Sequence, residues 1–171
     1  IAMVDSILHC GKPVINRING MRVAGGQEIG MACDFSIAVD TAILGQAGTR
    51  HGSSPDGGST SFLPLFLSAE NAMNSCVSNK LWPAYKMLRL GVLTDVVRVL
   101  KDTDGHFVCN PMVITDQYTK DGKIILGETL TGDDFKSAKS LAKTYTNDFS
   151  LLDSAIQAKI WELFNSFPGC R

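Results

Sequence analysis

Val23-Ala24-Gly25-Gly26 runs directly into Gln27-Glu28 and a further apolar stretch to Cys33. Adjacent glycines between the end of a strand and the start of a helix let backbone N–H groups come close to a ligand oxygen. A helix start adds a field that favours developing negative charge. A carboxylate one turn further on can reach the same ligand, and Glu28 occupies that place. The combination predicts an oxyanion hole in which the Gly25 N–H is a donor facing a cavity, with Glu28 beside it as the acid/base. The same residues also allow a plain strand–turn–helix packed through its glycines, with Glu28 capping at the surface.

A second chemistry-bearing segment runs from Leu44 to Thr60. It is rich in glycine and serine and concentrates Arg50, His51 and Asp56, three groups able to bind a ligand or move protons. Connections of this length are often functional. A solvated, flexible loop is the other reading. His9 at a helix end and His106 beside Asp104-Gly105 are read as surface groups.

Elements that would position these residues follow from periodicity. Residues 3–9 have helical spacing, stopped by Gly11 and Pro13. Residues 13–18 read as a short buried strand, and Asn19-Gly20 as a turn. Phe35, Ile37 and Val39 alternate with Ser36 and Ala38, the period of a strand, and residues 41–46 suit the next one. A helix is expected around 61–67, and another over 84–90 that ends at a left-handed Gly91. Residues 92–99 form a β-branched run interrupted by Thr94-Asp95. From Lys101 to Phe135 the composition turns to Asp, Lys, Gly and Thr, with strand-like pieces at 112–115 and 123–126; this is expected to be a surface excursion within one domain. Amphipathic helices close the chain over 134–145 and 151–164.

The bulk properties of the 171 residues set outer limits: 44% are apolar, 19% charged, and the net charge is −1. That balance suits an ordinary globular domain and gives no electrostatic footprint for nucleic acid. No apolar run reaches the ~18 residues of a membrane span. The five cysteines are scattered without a CxxC pair, which points to reduced thiols in the cytoplasm rather than a zinc site or a disulfide framework. Both ends lack the polar, frayed character of domain termini, so the chain is expected to be an internal fragment.

Taken together, the two chemistry-bearing segments resemble the crotonase (enoyl-CoA hydratase/isomerase) superfamily. Its members carry Asn-Gly, a glycine triplet, one residue, Glu, and then Cys-Asp. Here these are Asn19-Gly20, Ala24-Gly25-Gly26, Gln27, Glu28 and Cys33-Asp34, with Leu44-Gly45-Gln46, Gly52, Pro55 and Gly57-Gly58 as the next landmarks. The resemblance implies an α/β fold: a partial crotonase (ClpP-like) ββα superhelix followed by C-terminal helices, as one domain truncated at both ends. It implies an acyl-CoA thioester substrate, stabilised as an enolate by the Gly25 N–H, with Glu28 as acid/base. Coenzyme A then arrives as part of the substrate, with no separate cofactor or metal. A homo-oligomer, trimer or hexamer, without nucleic-acid or membrane partners is the implied assembly. Ala24 replaces the first glycine of the triplet, read as a mild change. Gly48 stands where hydratases carry their second glutamate, and the first oxyanion donor would precede Ile1.

Within the superfamily, three stretches look most like the branch that hydrates and then opens a cyclic β-keto acyl-CoA: Gly25 to Ala38; Gly45-Gln46-Ala47-Gly48 with His51-Gly52-Ser53; and Asn110-Pro111 with Val113-Ile114-Thr115-Asp116. On that likeness His51 and Asp56 become candidates for activating the ring-opening water, and Arg50 holds a loop or a CoA phosphate. A fatty-acid type hydratase, a dihydroxynaphthoyl-CoA synthase-like enzyme and a non-catalytic protein on the same fold stay open as alternatives.

Overall fold

The computed structural model describes residues 2–166. Helix α1 (Ala2–Leu8) has no buried residue. Strand β1 (Ile15–Ile18), strand β2 (Arg22–Val23) and helix α2 (Gly25–Met31) form a first ββα unit. Strands β3 (Phe35–Val39) and β4 (Ile43–Gly45), a 3-10 turn (Gly48–His51) and helices α3 (Ser59–Phe66) and α4 (Ala69–Ser78) form a second. The first strands of the two units pair in parallel, Ile15 opposite Phe35 and Ile18 opposite Ala38. Their second strands pair in parallel in a separate sheet, Arg22 opposite Leu44 and Val23 opposite Gly45. This two-sheet stacking places the β2–α2 junction at the same level as the end of β4, where the Ala24 N–H donates to Gly45 O at 3.0 Å.

Strand β5 (Trp82–Pro83) adds antiparallel to β4, helix α5 (Ala84–Arg89) follows, and β6 (Asp95–Val97) completes the first sheet in the order β1-β3-β6. Central strand β3 is buried from Ser36 to Val39, because parallel strands with cover on both faces have no solvent side. That explains the small residues at alternate positions. Gly91, at φ 92°, follows α5 as the left-handed residue its position called for. The core gathers Ile37, Val39, Leu44, Leu63, Met87 and Leu152, all nearly fully enclosed. Leu152 comes from α7 (Ser150–Phe164), which packs on β3.

Several expectations shift. Helix α3 begins two residues before 61, since Gly58 at φ 96° turns the chain directly into it. Helix α4, with its Ser68 cap, was not expected: its buried residues are Ala72, Ser75 and Cys76, too small and polar to give an apolar period. The β-branched run over 92–99 yields only the three residues of β6, and Val113 makes an isolated bridge to Thr129 in place of a strand.

In the segment after 100, β7 (Leu100–Lys101), β8 (Phe107–Val108) and β11 (Thr146–Asn147) form one small sheet, and β9 (Thr119–Lys120) pairs with β10 (Lys123–Ile124). Helix α6 (Gly132–Ala142) lies between β10 and β11 in the chain. A buried clamp fixes this segment to the end of β3. The Asp40 carboxylate accepts from the Val99 and Asn110 N–H groups at 3.2 and 2.9 Å, and Asn110 Nδ2 donates to Asp40 O at 2.9 Å. Burial pushes the Asp40 carboxyl up to about 6, against those backbone bonds. Gly127, at φ 73°, packs so closely on α5 that a Cβ there would lie 2.7 Å from Tyr85 Cβ.

Cys10, Cys33, Cys76 and Cys109 are free thiols, and Cys170 lies outside the described residues. Among the described residues no helix is long and apolar enough to cross a membrane.

Candidate active site

A buried cation holds the β2–α2 junction in place. Arg22, 4% exposed, donates from Nε to Gln27 Oε1 at 2.7 Å and from Nη1 to Asn16 Oδ1 and Ser36 Oγ at 3.0 and 2.8 Å. One side chain thereby ties β1, β2, α2 and β3 together. Gly30 is required beneath it, since a Cβ there would lie 2.6 Å from Arg22 Cδ. Burial pushes the guanidinium down to about 10, so it stays charged at neutral pH and adds positive potential under the start of α2.

Gly25 is the first residue of α2, and its N–H has no hydrogen-bond partner among the described residues. The expected strand-to-helix position is therefore found. Gly25 is exposed, and neither of two open depressions in the surface is lined by it. One of about 550 Å³ runs along α4 by Met73 and Val77, and one of about 350 Å³ lies between Lys80, Trp82, Lys86 and Glu128.

Ala24, read as a mild change from glycine, is not mild. Its backbone sits at φ 52°, ψ −122°, where an L side chain is strained. Strain there costs on the order of 1–3 kcal/mol, and a glycine loses about 0.5–1 kcal/mol more chain entropy on folding. Ala24→Gly is accordingly expected to stabilise the fold by about 1 kcal/mol, read as a rise of roughly 2–4 °C in Tm. An unchanged or lower Tm would mean that the junction relaxes around the alanine at no cost.

Glu28 is half-buried and its carboxylate is held from two sides. A Cβ placed on Gly25 would lie 4.0 Å from Glu28 Oε2, so the carboxylate stands beside the junction. From the other side, Gly57 at φ 58° lies against it: a Cβ there would meet Oε2 at 2.2 Å and Cδ at 2.7 Å. Ser59 Oγ, fully buried, is 3.0 Å from Glu28 Oε1 and 2.7 Å from the Asp56 carbonyl oxygen. The Glu28 side chain is thus held by the end of the 44–60 loop, with Ser59 and Gly57 on either side of its carboxylate.

The other candidates fall apart spatially. Asp56 reaches the site through its backbone, next to Gly57, while its side chain is exposed and without a partner among the described residues. His51 and Arg50, in the 3-10 turn, are exposed, and no hydrogen bond or ion pair joins them to Glu28 among the described residues. Gly48 is covered by its own loop: a Cβ would lie 3.0 Å from Ser53 Oγ and 3.2 Å from Ser54 O. His106 is exposed beside Asp102. Sequence reasoning missed Gly57 and Ser59 as parts of the site. Their signal was available in Gly57-Gly58-Ser59, small residues opening a helix, but nothing in the sequence says that they meet Glu28.

Residues 2–106 match the model of the enoyl-CoA hydratase/isomerase family. Among curated relatives, the 6-oxocyclohex-1-ene-1-carbonyl-CoA hydrolases of Syntrophus aciditrophicus and Thauera aromatica are 53% and 49% identical to this chain over 98% of it. The chain spans 45% of the length of each. Among solved structures, an enoyl-CoA hydratase from Thermoplasma volcanium aligns with 56% of this chain and 39% of its own, at 29% identity and a TM-score of 0.54. One from Polaromonas sp. JS666 aligns with 55% of this chain and 37% of its own, at 30% identity and a TM-score of 0.53.

Proposed function

The chain belongs to the enoyl-CoA hydratase/isomerase family, and from that premise we propose that it supplies the acid/base and one oxyanion donor of a 6-oxocyclohex-1-ene-1-carbonyl-CoA hydrolase. The observation that carries the proposal is the placement of one buttressed carboxylate, Glu28, beside the Gly25 N–H, which has no partner among the described residues. The family resemblance adds Gly48 at the position of a hydratase's second carboxylate. The high identity to hydrolases of that name over almost the whole chain supports the choice of substrate.

In this reading a first water adds to the ring carbon β to the thioester. Glu28 takes its proton as the new carbon–oxygen bond forms, and the electron pair moves into the thioester carbonyl, whose oxygen the Gly25 N–H holds. The enolate then collects a proton at its α carbon. A second water attacks the ring ketone, the bond between the ketone carbon and the α carbon breaks, and the pair again enters the thioester carbonyl. The α carbon takes a proton and the former ketone becomes a carboxylic acid. Two waters enter and nothing leaves, giving 3-hydroxypimeloyl-CoA. One oxyanion donor serves both steps, and removal of such a donor costs ~2.7–4 kcal/mol of transition-state stabilisation. Asp56 and His51 stay candidates for the base of the second water, and because both side chains are exposed in this structure, either would have to turn inward over the substrate to act.

The wider reading is an enzyme of the cytoplasm acting as a homo-oligomer, with coenzyme A entering only as part of the substrate. A full-length protein assayed with the cyclic enone thioester and with crotonyl-CoA is expected to prefer the cyclic substrate by at least tenfold in kcat/KM. Preference for crotonyl-CoA would reduce the assignment to ordinary hydration.

A further inference from the structure

We infer that Ser59 is a positioning residue for Glu28, whose hydroxyl turns with the protonation of that carboxyl group; the inference rests on the proposed acid/base role of Glu28. Ser59 is wholly buried at the first position of α3, and its Oγ stands between two oxygens, Glu28 Oε1 at 3.0 Å and Asp56 O at 2.7 Å. A hydroxyl has one hydrogen and two lone pairs, so it cannot donate to both at once. The Asp56 carbonyl has a second donor, the Ser59 N–H at 2.9 Å, and so does not depend on the hydroxyl. When Glu28 is a carboxylate, the Ser59 hydrogen is therefore free to point at Oε1. When Glu28 has taken a proton from water, its O–H donates to Ser59 Oγ, and the Ser59 hydrogen turns to the Asp56 carbonyl. Both protonation states of the acid/base keep a satisfied partner without movement of any heavy atom.

No other hydrogen bond to the Glu28 side chain is found among the described residues. Gly57 closes the opposite side against Oε2, so the carboxylate is confined by one steric wall and one hydroxyl. Removing the hydroxyl leaves Oε1 facing a buried apolar group in either state. A half-buried carboxyl oxygen that loses its one hydrogen-bond partner turns toward water and away from this position, and a misplaced base loses rate rather than substrate affinity.

The test uses the full-length protein, with Ser59→Ala, Ser59→Thr, Ser59→Val and Glu28→Gln, and the double variant Glu28→Gln/Ser59→Ala. Ser59→Ala and Ser59→Val are expected to lower kcat for hydration by ~10–100-fold, the loss of one hydrogen bond to a charged group, with KM within about twofold. Ser59→Thr, which matches valine in shape but keeps the hydroxyl, is expected to restore most of the rate. In the Glu28→Gln background Ser59→Ala is expected to change kcat by less than about twofold, because both residues act through one carboxylate. Equal rates for the threonine and valine variants would overturn the inference, as would a full additive loss in the double variant. If Ser59→Ala does not fold, the threonine–valine comparison decides alone. Normal turnover in Glu28→Gln would instead remove the acid/base assignment, and the two failures are therefore separable.

Discussion

Glu28→Gln in the full-length protein is expected to slow hydration by ~10²–10⁴-fold while the CoA thioester still binds. Glutamine keeps the shape of the side chain and an oxygen for Ser59, so the contacts at 3.0 Å to Ser59 Oγ and across to Gly57 survive in outline. What is lost is the capacity to take a proton from water and return it. Among the described residues Ser59 is the one group hydrogen-bonded to the Glu28 carboxylate, and a hydroxyl does not replace a carboxylate as a base, so the loss belongs at the severe end of the range. Steady-state rates with thioester binding measured in parallel check this, and a variant within tenfold of the parent would leave Glu28 a structural residue.

Gly57→Ala is expected to lower kcat by up to ~10²-fold with only a modest cost in stability. The new Cβ would fall 2.2 Å from Glu28 Oε2, far inside contact distance. The atom it meets is the far end of a side chain, so the clash is relieved by swinging the carboxyl group aside rather than by breaking the core. The remaining cost is the left-handed backbone at φ 58°, ~1–2 kcal/mol for a residue with a Cβ. A displacement of about 1 Å in a catalytic group can cost ~10²-fold in rate. The signature is therefore a large fall in kcat alongside a small fall in Tm. A variant that unfolds outright, or one that turns over normally, would contradict the placement of Gly57 against the carboxylate.

Much of this was legible in the sequence because it rests on local rules. Paired glycines ahead of an apolar stretch located the β2–α2 junction, the alternation of Phe35, Ile37 and Val39 located β3, and Gly91 marked the end of α5. The spacing of Glu28 from Gly25 placed both on one helical turn, and the structure keeps them adjacent. What was not legible depends on contacts between segments distant in the chain. Gly57 and Ser59 are 29 and 31 residues from Glu28, and only the stacking of the two ββα units brings that loop end over the first helix. The Asp40–Asn110 clamp spans 70 residues and left no periodic trace. Helix α4 was hidden because its buried face is built from Ala72, Ser75 and Cys76. The strain at Ala24 was hidden for a different reason: alanine is compatible with almost any local pattern, and only the backbone angles reveal that it stands where glycine is favoured.

On the proposed reading, one oxyanion donor serves both water addition and ring opening on a cyclic β-keto thioester, and Glu28 is the acid/base of the first step. The most direct measurement is the product formed by the full-length protein from 6-oxocyclohex-1-ene-1-carbonyl-CoA in ¹⁸O-labelled water. The expected product is an open-chain thioester heavier than the substrate by two waters, with label in a new hydroxyl and in a new carboxylic acid. A product that retains the ring and has gained a single water would contradict that reading.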